Sequence, residues 1–293
     1  MRKKFGEKVY RISVDCGFTC PTRDGKLGTG GCLYCNNASF APQHQNKIVP
    51  VKEQIAAGIE RLYKYRKIKK FLVYFQAYTN TYAPIEKLRR LYFEAIDFPE
   101  VAGIIIGTRP DCIDDDILKL LQEISHKKDV SIEFGIESVY DKTLEWVNRG
   151  HNFKTTMQAI KKAKESGLHV GGHYILGFPT ESRKEMLASA GIINNLGIDA
   201  IKIHQLHVVK NTELAKLYQK KPFPVFNEEQ WIKLVCDFLE QLDPGIVIQR
   251  LVGDAKGDTL IAPQWKQSKI EVLQAIKNEL KTRNSFQGKY RVR

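Results

Sequence analysis

Cys20, Cys32 and Cys35 are spaced C-x11-C-x2-C in the stretch CPTRDGKLGTGGCLYC. Cys16 extends the pattern to C-x3-C-x11-C-x2-C, in a chain with only six cysteines. Two chemistries use reduced thiolates at such spacings. Four thiolates close tetrahedrally around zinc, and three hold an iron–sulfur cluster with one iron left open. Zinc sites usually carry two C-x2-C knuckles, whereas the first pair here is C-x3-C and Cys16 ends an apolar run. Gly25, Gly28, Gly30 and Gly31 let backbone amides approach sulfur or phosphate closely. Spacing alone leaves zinc and cluster both open. A disulfide is the weakest of the three readings. No apolar run nears the roughly 20 residues that span a bilayer, and the start, MRKKFGEKVYRISV, lacks the apolar stretch and cleavage site of a signal peptide. A cytoplasmic location with reduced thiols and no membrane partner is therefore expected.

Chemistry at one loop needs a scaffold, and the hydrophobic pattern supplies one. Runs suited to strands fall at 9–15, 71–76, 101–108, 130–136, 169–177 and 200–208. Amphipathic helical segments alternate with them at 51–66, 84–96, 113–125, 139–147 with 153–166, 181–195 and 212–219. Six β/α units with short connections require a parallel sheet, because each crossover carries a helix over one face. Either a doubly wound sheet or an incomplete (β/α) barrel fits, and both gather functional groups at the C-terminal ends of their strands. The strands do discharge polar or glycine-rich segments there: the cysteine loop, QAYTNTY, TRPDC, ES and GFPTE. After residue 222 the composition shifts. A proline-rich turn precedes a helix for which Asn227 is a suitable N-cap. GIVIQRLV reads as a last strand and 268–283 as a last helix. Residues 1–222 are thus expected to form the core, with the cysteine loop at 16–40, and 223–293 a basic extension packed on it.

Several polar residues on this rim are candidates for chemistry. Arg109 and Asp111 follow the third strand, where they order the pocket, reach substrate, or form a plain turn. Glu133 and Glu137, four apart on a strand, share a face, and charge that far inside needs partners. Thr79, Asn80 and Thr81 either line the site or cap the next helix. His204 and His207 form H-x-x-H, but on a strand residues three apart face opposite sides, so the pair is not expected to chelate one ion. One of the two is expected near the interior, or as a satisfied core histidine.

These motifs together resemble the radical S-adenosylmethionine (SAM) superfamily. The segments GFTCPTRDGKLGTGGCLYCNNASF, YFQAYTNTYAP, GTRPDC, FGIESVYDKTLEWVNRGH and ILGFPTE are similar, in order, to the bacterial MnmL/YtqA and YhcC group, related to the catalytic subunit of Elongator. The resemblance spans nearly the whole chain and implies an α/β fold: a partial (β/α)6 TIM-like barrel with a C-terminal α/β extension. It implies that Cys20, Cys32 and Cys35 hold a [4Fe–4S] cluster whose open iron takes the amino and carboxylate groups of SAM. Tyr34 is the aromatic before the last cysteine. Gln76, Ala77 and Tyr78 stand where a segment binds the SAM ammonium, although the usual glycine-rich letters differ. Glu137 would contact ribose hydroxyls, Arg149 the SAM carboxylate, and Gly177, Phe178 and Pro179 would lie beneath adenine. Cys16 has no role in the pattern and reads as a buried strand-end residue.

The resemblance further implies cleavage of SAM to a 5′-deoxyadenosyl radical and, in this group, conversion of 5-carboxymethylaminomethyl-(2-thio)uridine at the tRNA wobble position to the 5-aminomethyl form. A reducing partner such as flavodoxin or ferredoxin is implied with it. The excess of 46 Lys+Arg over 33 Asp+Glu, a net charge of +13, suits a nucleic-acid partner. The segment 256–293, with Phe286 and Tyr290 among its cations, is suited to phosphates and bases. The chain ends before any room for an acetyltransferase domain, so acetyl-CoA-dependent synthesis is not expected. Two rivals stand beside this reading: a radical SAM enzyme acting on a small metabolite or protein, and a non-catalytic RNA-binding protein with structural zinc.

Overall fold

In the computed structural model, residues 5–36, 49–254 and 258–291 are described. The expectations for loop residues 37–40 and for Lys256 and Arg293 in the basic tail lie outside them. The strands are β1 (Val9–Val14), β2 (Lys70–Phe75), β3 (Val101–Thr108), β4 (Asp129–Glu137), β5 (His169–Leu176) and β6 (Ala200–Gln205). Helices α1 (Val51–Arg66), α2 (Ile85–Ile96), α3 (Asp115–Ser125), α4 (Asp141–Trp146), α5 (Phe153–Glu165) and α6 (Arg183–Asn194) lie between or after them. Next come β7 (Val208–Val209), α7 (Glu213–Lys220), α8 (Glu228–Gln241), β8 (Val247–Arg250), β9 (Leu260–Ala262) and α9 (Lys269–Thr282).

Seven strands pair in the order β1-β2-β3-β4-β5-β6-β8, each neighbouring pair parallel. A doubly wound sheet would reverse its strand order at a switch point, and this one never does. Side-chain contacts show the curl. Lys202 Nζ on β6 lies 3.1 Å from the Tyr74 hydroxyl on β2. Four strand spacings separate these two, about 19 Å in a flat sheet. Arg11 on β1 likewise donates to Gln249 on β8 at 3.3 Å. The sheet is a curled half-barrel, one of the two architectures that the sequence pattern leaves open and the one that the family resemblance implies.

Alternation along each strand sorts the two faces. On β2, Phe71, Val73 and Phe75 join the core under the helices, with Ile104, Ile106, Ile132 and Phe134 from the next two strands. Leu72 and Tyr74 point the other way, into the barrel, beside Ile105. Burial of this outer face is the main stabilising contribution, roughly 1.5–3 kcal/mol for each large apolar side chain. Caps fix where the helices begin. Asn227 accepts from Gln230 N at 2.9 Å and completes a capping box, as its position suggests. Ser182 and Ser268 form the equivalent boxes at α6 and α9; each cap contributes about 1 kcal/mol.

Two expectations need correction. The run 200–208 is not one strand: β6 stops at Gln205, and β7 pairs antiparallel with β9. Thr79, Asn80 and Thr81 do not cap α2, whose N-cap is Pro84 with no side-chain cap bond. Instead Asn80 donates to the Gly107 carbonyl at 2.8 Å and Thr81 meets the Thr108 hydroxyl at 2.5 Å, tying the exit of β2 to β3. The chain after 222 contributes a sheet strand, β8, as well as α8 and α9. Its basic tail is held on α8: Gly288 N and Tyr290 N donate to the Leu239 and Glu240 carbonyls, while the Phe286 and Tyr290 rings stay exposed. Among the described residues no helix is long and apolar enough to cross a membrane.

Candidate active site

The C-terminal ends of the strands surround a cavity lined by Cys20, Cys32 and Cys35 on one side and by residues of β2 to β6 and β8 on the others. The cysteine loop is fixed by its own backbone. Arg23 N donates to the Cys20 carbonyl, Gly31 N to the Thr22 carbonyl and Cys35 N to the Cys32 carbonyl, at 2.7–2.9 Å. Gly31 has φ +75°, and a Cβ there would stand 2.9 Å from the Arg23 guanidinium. That guanidinium donates to the Cys35 carbonyl at 2.7 Å, so glycine is required for the loop to close over it.

Cations face the thiols. Arg149 Nη1 lies 3.6 Å from Cys32 Sγ, and Arg109 Nη1 lies 4.0 Å from it. Both arginines are buried. Arg109 is gripped bidentately by Asp111 at 2.8–2.9 Å and donates to the Arg149 carbonyl at 2.6 Å. Arg149 donates to the Gly135 carbonyl at 2.7 Å and pairs with Glu137 at 3.7 Å, while its buried Nε has no partner. Cys20 Sγ sits 2.9 Å from the Thr79 hydroxyl. Burial pushes the Cys35 thiol up to about 11, with Cys32 adding to the rise and Arg23 opposing it. Burial also raises Cys20, against Thr79 and Arg109. Cys20 and Cys35 are therefore neutral at pH 7, and a bound metal would displace their protons. Cys16 is different: it belongs to the core under the helices, and burial with Asp15 beside it lifts its thiol to about 12.

Glu137 ends β4 with φ +63°, where the pairing with β5 shifts register, and Tyr78 leaves β2 with φ +63°. A left-handed conformation at a non-glycine residue costs of order 1–3 kcal/mol and clusters at functional sites. Here it turns two side chains onto one cavity. Burial raises the Glu137 carboxyl, opposed by Arg149 and by the Tyr34 hydroxyl that donates to it.

Most predicted residues converge here. Tyr34, Gln76, Tyr78, Arg109, Glu133, Glu137, Arg149, His204 and His207 all line the cavity. Others stand behind its wall. Ala77 is buried at the turn out of β2. Asp111 holds the Arg109 guanidinium and is not itself in the lining. Phe178 packs on Tyr34 with ring centroids 6.0 Å apart, in a cluster with Ile175 and Leu206. Gly177, at φ +106°, leaves room for the Phe226 ring; Pro179, two residues on, is exposed and outside the cavity lining. The histidine expectation is corrected: alternation stops with β6 at Gln205, so both rings reach the cavity, with centroids 6.3 Å apart. Sequence reasoning missed Tyr74, His173, Lys202 and Arg250. Strand phase marks Tyr74, His173 and Lys202 as inward-facing, but only the curl of the sheet brings them to Glu133.

Among the described residues, no three thiol, imidazole or carboxylate groups are gathered tightly enough for a single metal ion. The donor set matches a multi-iron cluster: three free thiols on one wall, backed by two buried guanidinium groups that would offset an anionic assembly. The orphaned Arg149 Nε beside Glu137 fits an adjoining ligand with a carboxylate.

Comparison with known proteins agrees with this geometry. Residues 26–191 match the radical SAM superfamily, and 198–282 match the radical SAM C-terminal domain. The uncharacterized protein YtqA of Bacillus subtilis is 36% identical over 99% of this chain and 90% of its own length. A tRNA uridine(34) acetyltransferase of Methanocaldococcus infernus is 29% identical over 45% of this chain and 25% of its own. The solved archaeal Elp3 of Methanocaldococcus infernus superposes with a TM-score of 0.74 at 18% identity. The match covers 95% of this chain and 64% of that one.

Proposed function

The chain belongs to the radical SAM superfamily, and from that premise we propose that it modifies the wobble uridine of tRNA. Its cofactors are those of the family, a [4Fe–4S] cluster and SAM. When bound, the two supply an organic radical that takes a hydrogen atom from the substrate. The observation that carries the site assignment is the convergence of Cys20, Cys32, Cys35, Glu137 and Arg149 on one cavity.

In this reading Cys20, Cys32 and Cys35 hold the cluster, and Arg109 and Arg149 offset its charge. Arg149 also binds the SAM carboxylate, with Glu137 accepting from its hydroxyl groups. The backbone of Gln76, Ala77 and Tyr78 meets its ammonium, and Phe178, with Gly177 and Pro179, supports the wall under its base through Tyr34. The deep part of the half-barrel keeps water from the reacting carbon. The substrate is 5-carboxymethylaminomethyl-(2-thio)uridine; loss of a hydrogen atom and then an electron from the carbon beside nitrogen, followed by hydrolysis, would release the carboxymethyl arm as a two-carbon oxoacid and leave the 5-aminomethyl form. Support for tRNA comes from the partial match to a tRNA uridine(34) enzyme and from the net charge of +13. A flavodoxin- or ferredoxin-like protein is the proposed electron donor.

Two measurements test this. Nucleoside mass spectrometry of tRNA from cells lacking the gene is expected to show accumulated carboxymethylaminomethyl uridine; an unaltered profile would reject the tRNA reading. The second tests the pocket. A Cβ at Gly135 would lie 2.4 Å from Glu137 Oε1 and 2.6 Å from Arg149 Nη2. Gly135→Ala must therefore displace both groups and is expected to weaken SAM binding about tenfold, the loss of one charge-assisted hydrogen bond. Equilibrium binding of SAM to the reconstituted variant measures it.

A further inference from the structure

Deeper in the half-barrel lies a set of charged groups that the cysteine loop does not touch. Glu133 is 2% exposed. Its Oε2 accepts from Lys202 Nζ and, at 2.8 Å, from His173 Nε2. Lys202 also reaches the Tyr74 hydroxyl at 3.1 Å. Glu133 Oε1, by contrast, is buried with no hydrogen bond in range, although the residue lines the cavity and the Tyr74 hydroxyl stands near the same carboxylate. An ionised carboxylate oxygen accepts hydrogen bonds and cannot donate them. The missing group is therefore a donor.

The neighbouring strands are cut back beside the Glu133 side chain. The register partners of Glu133 are Gly107 on β3 and Gly171 on β5. A Cβ at Gly171 would stand 3.1 Å from Glu133 Cγ. His173 and Lys202 hold the carboxyl well below its usual range against the burial that would raise it. Arg250 of β8 lines the same cavity and supplies a cation. A donor beside an anionic acceptor, with a guanidinium in the same chamber, describes the recognition of a zwitterion.

We propose that Glu133 is a specificity-determining residue: its Oε1 accepts a hydrogen bond from the protonated secondary amine of the substrate side chain, and Arg250 takes the carboxylate beyond it. Lys202, His173 and Tyr74 are positioning residues that keep Glu133 ionised and aimed. The assignment of that amine rests on the carboxymethylaminomethyl reading above, but the demand for a donor at Oε1 does not.

N-methylglycine carries the same secondary ammonium and carboxylate, and butyrate is its isostere without the N–H. Ligand-observed NMR titration of both probes against the reconstituted full chain tests the subsite. The wild type is compared with Glu133→Gln and with Glu133→Gln/Lys202→Met, which leaves no unpaired buried ammonium. N-methylglycine is expected to bind saturably to the wild type and at least about tenfold more weakly to both variants, with butyrate comparably weak on the wild type. Equal binding to the variants, equal binding of butyrate, or no binding to the wild type overturns the proposal. An unaltered tRNA profile together with Glu133-dependent binding of N-methylglycine rejects the tRNA reading and upholds the amine subsite. Full conversion of tRNA by Glu133→Gln upholds the tRNA reading and rejects the subsite.

Discussion

Cys32→Ala is expected to yield a protein that, after anaerobic reconstitution, is nearly colourless and cleaves SAM only at background. Cys16→Ala is expected to remain brown and active. The contrast follows from where the two thiols sit. Cys32 lies on the cavity wall with Arg149 Nη1 at 3.6 Å and Arg109 Nη1 at 4.0 Å, and its removal takes away the one thiol that both buried guanidinium groups approach. Cys16 is 8% exposed among apolar side chains on the opposite face of the sheet. Its replacement removes one sulfur atom from a packed core, a cost of about 1 kcal/mol that leaves the loop intact. Iron content, visible absorption and 5′-deoxyadenosine release are the three readouts. Equal loss in both variants would mean that Cys16 is a ligand and the three-thiol assignment is wrong; a colourless wild type that retains zinc would reject the cluster altogether.

That contrast was partly legible in the sequence, and the reason is instructive. The cysteine spacing admits both zinc and a cluster, because both metals use thiolates from short loops. What separates Cys16 from the others is burial on the helix-facing side of β1, a property of strand phase that the alternation of VYRISV already carries. The six strands and their helices could be read because parallel sheets require apolar runs and amphipathic crossovers, whose periods differ. The choice between half-barrel and doubly wound sheet could not, since it depends on strand order, and order is set by contacts between distant segments such as Lys202 and Tyr74. The same limit hid Lys202 and His173. Each appears in sequence as an isolated polar residue in an apolar strand, and only the curl brings them to Glu133. His204 and His207 show the converse failure: alternation was applied past Gln205, where the strand had already ended.

Lys202→Met is expected to cost about 3 kcal/mol of folding stability at pH 7, because it strands a buried carboxylate. Lys202 and Glu133 are each 2% exposed, so neither gains much from water. The loss falls at the low end of the usual range because His173 still donates to Glu133. In Glu133→Gln/Lys202→Met most of the loss is recovered, since no charge remains unpaired. The pH dependence has a definite sign. In the wild type Glu133 is depressed, so its contribution is present above about pH 4.3 and is lost as pH falls through its folded value. His173 is pushed down to about 4, first by burial and then by the Lys202 ammonium. Lys202, lowered to about 8 by burial against the pull of Glu133, is still charged at neutral pH and below. Without it, burial raises the Glu133 carboxyl, while His173, still held down by burial, loses the opposing ammonium, rises, and becomes the counter-ion as pH falls. Both changes favour the variant on acidification. The stability gap between wild type and Lys202→Met should therefore shrink between about pH 7 and pH 5.5. Urea denaturation at the two pH values measures it. A gap of the same size at both would mean that His173 does not replace the lost ammonium, and that Glu133 is not the group the network is built to hold.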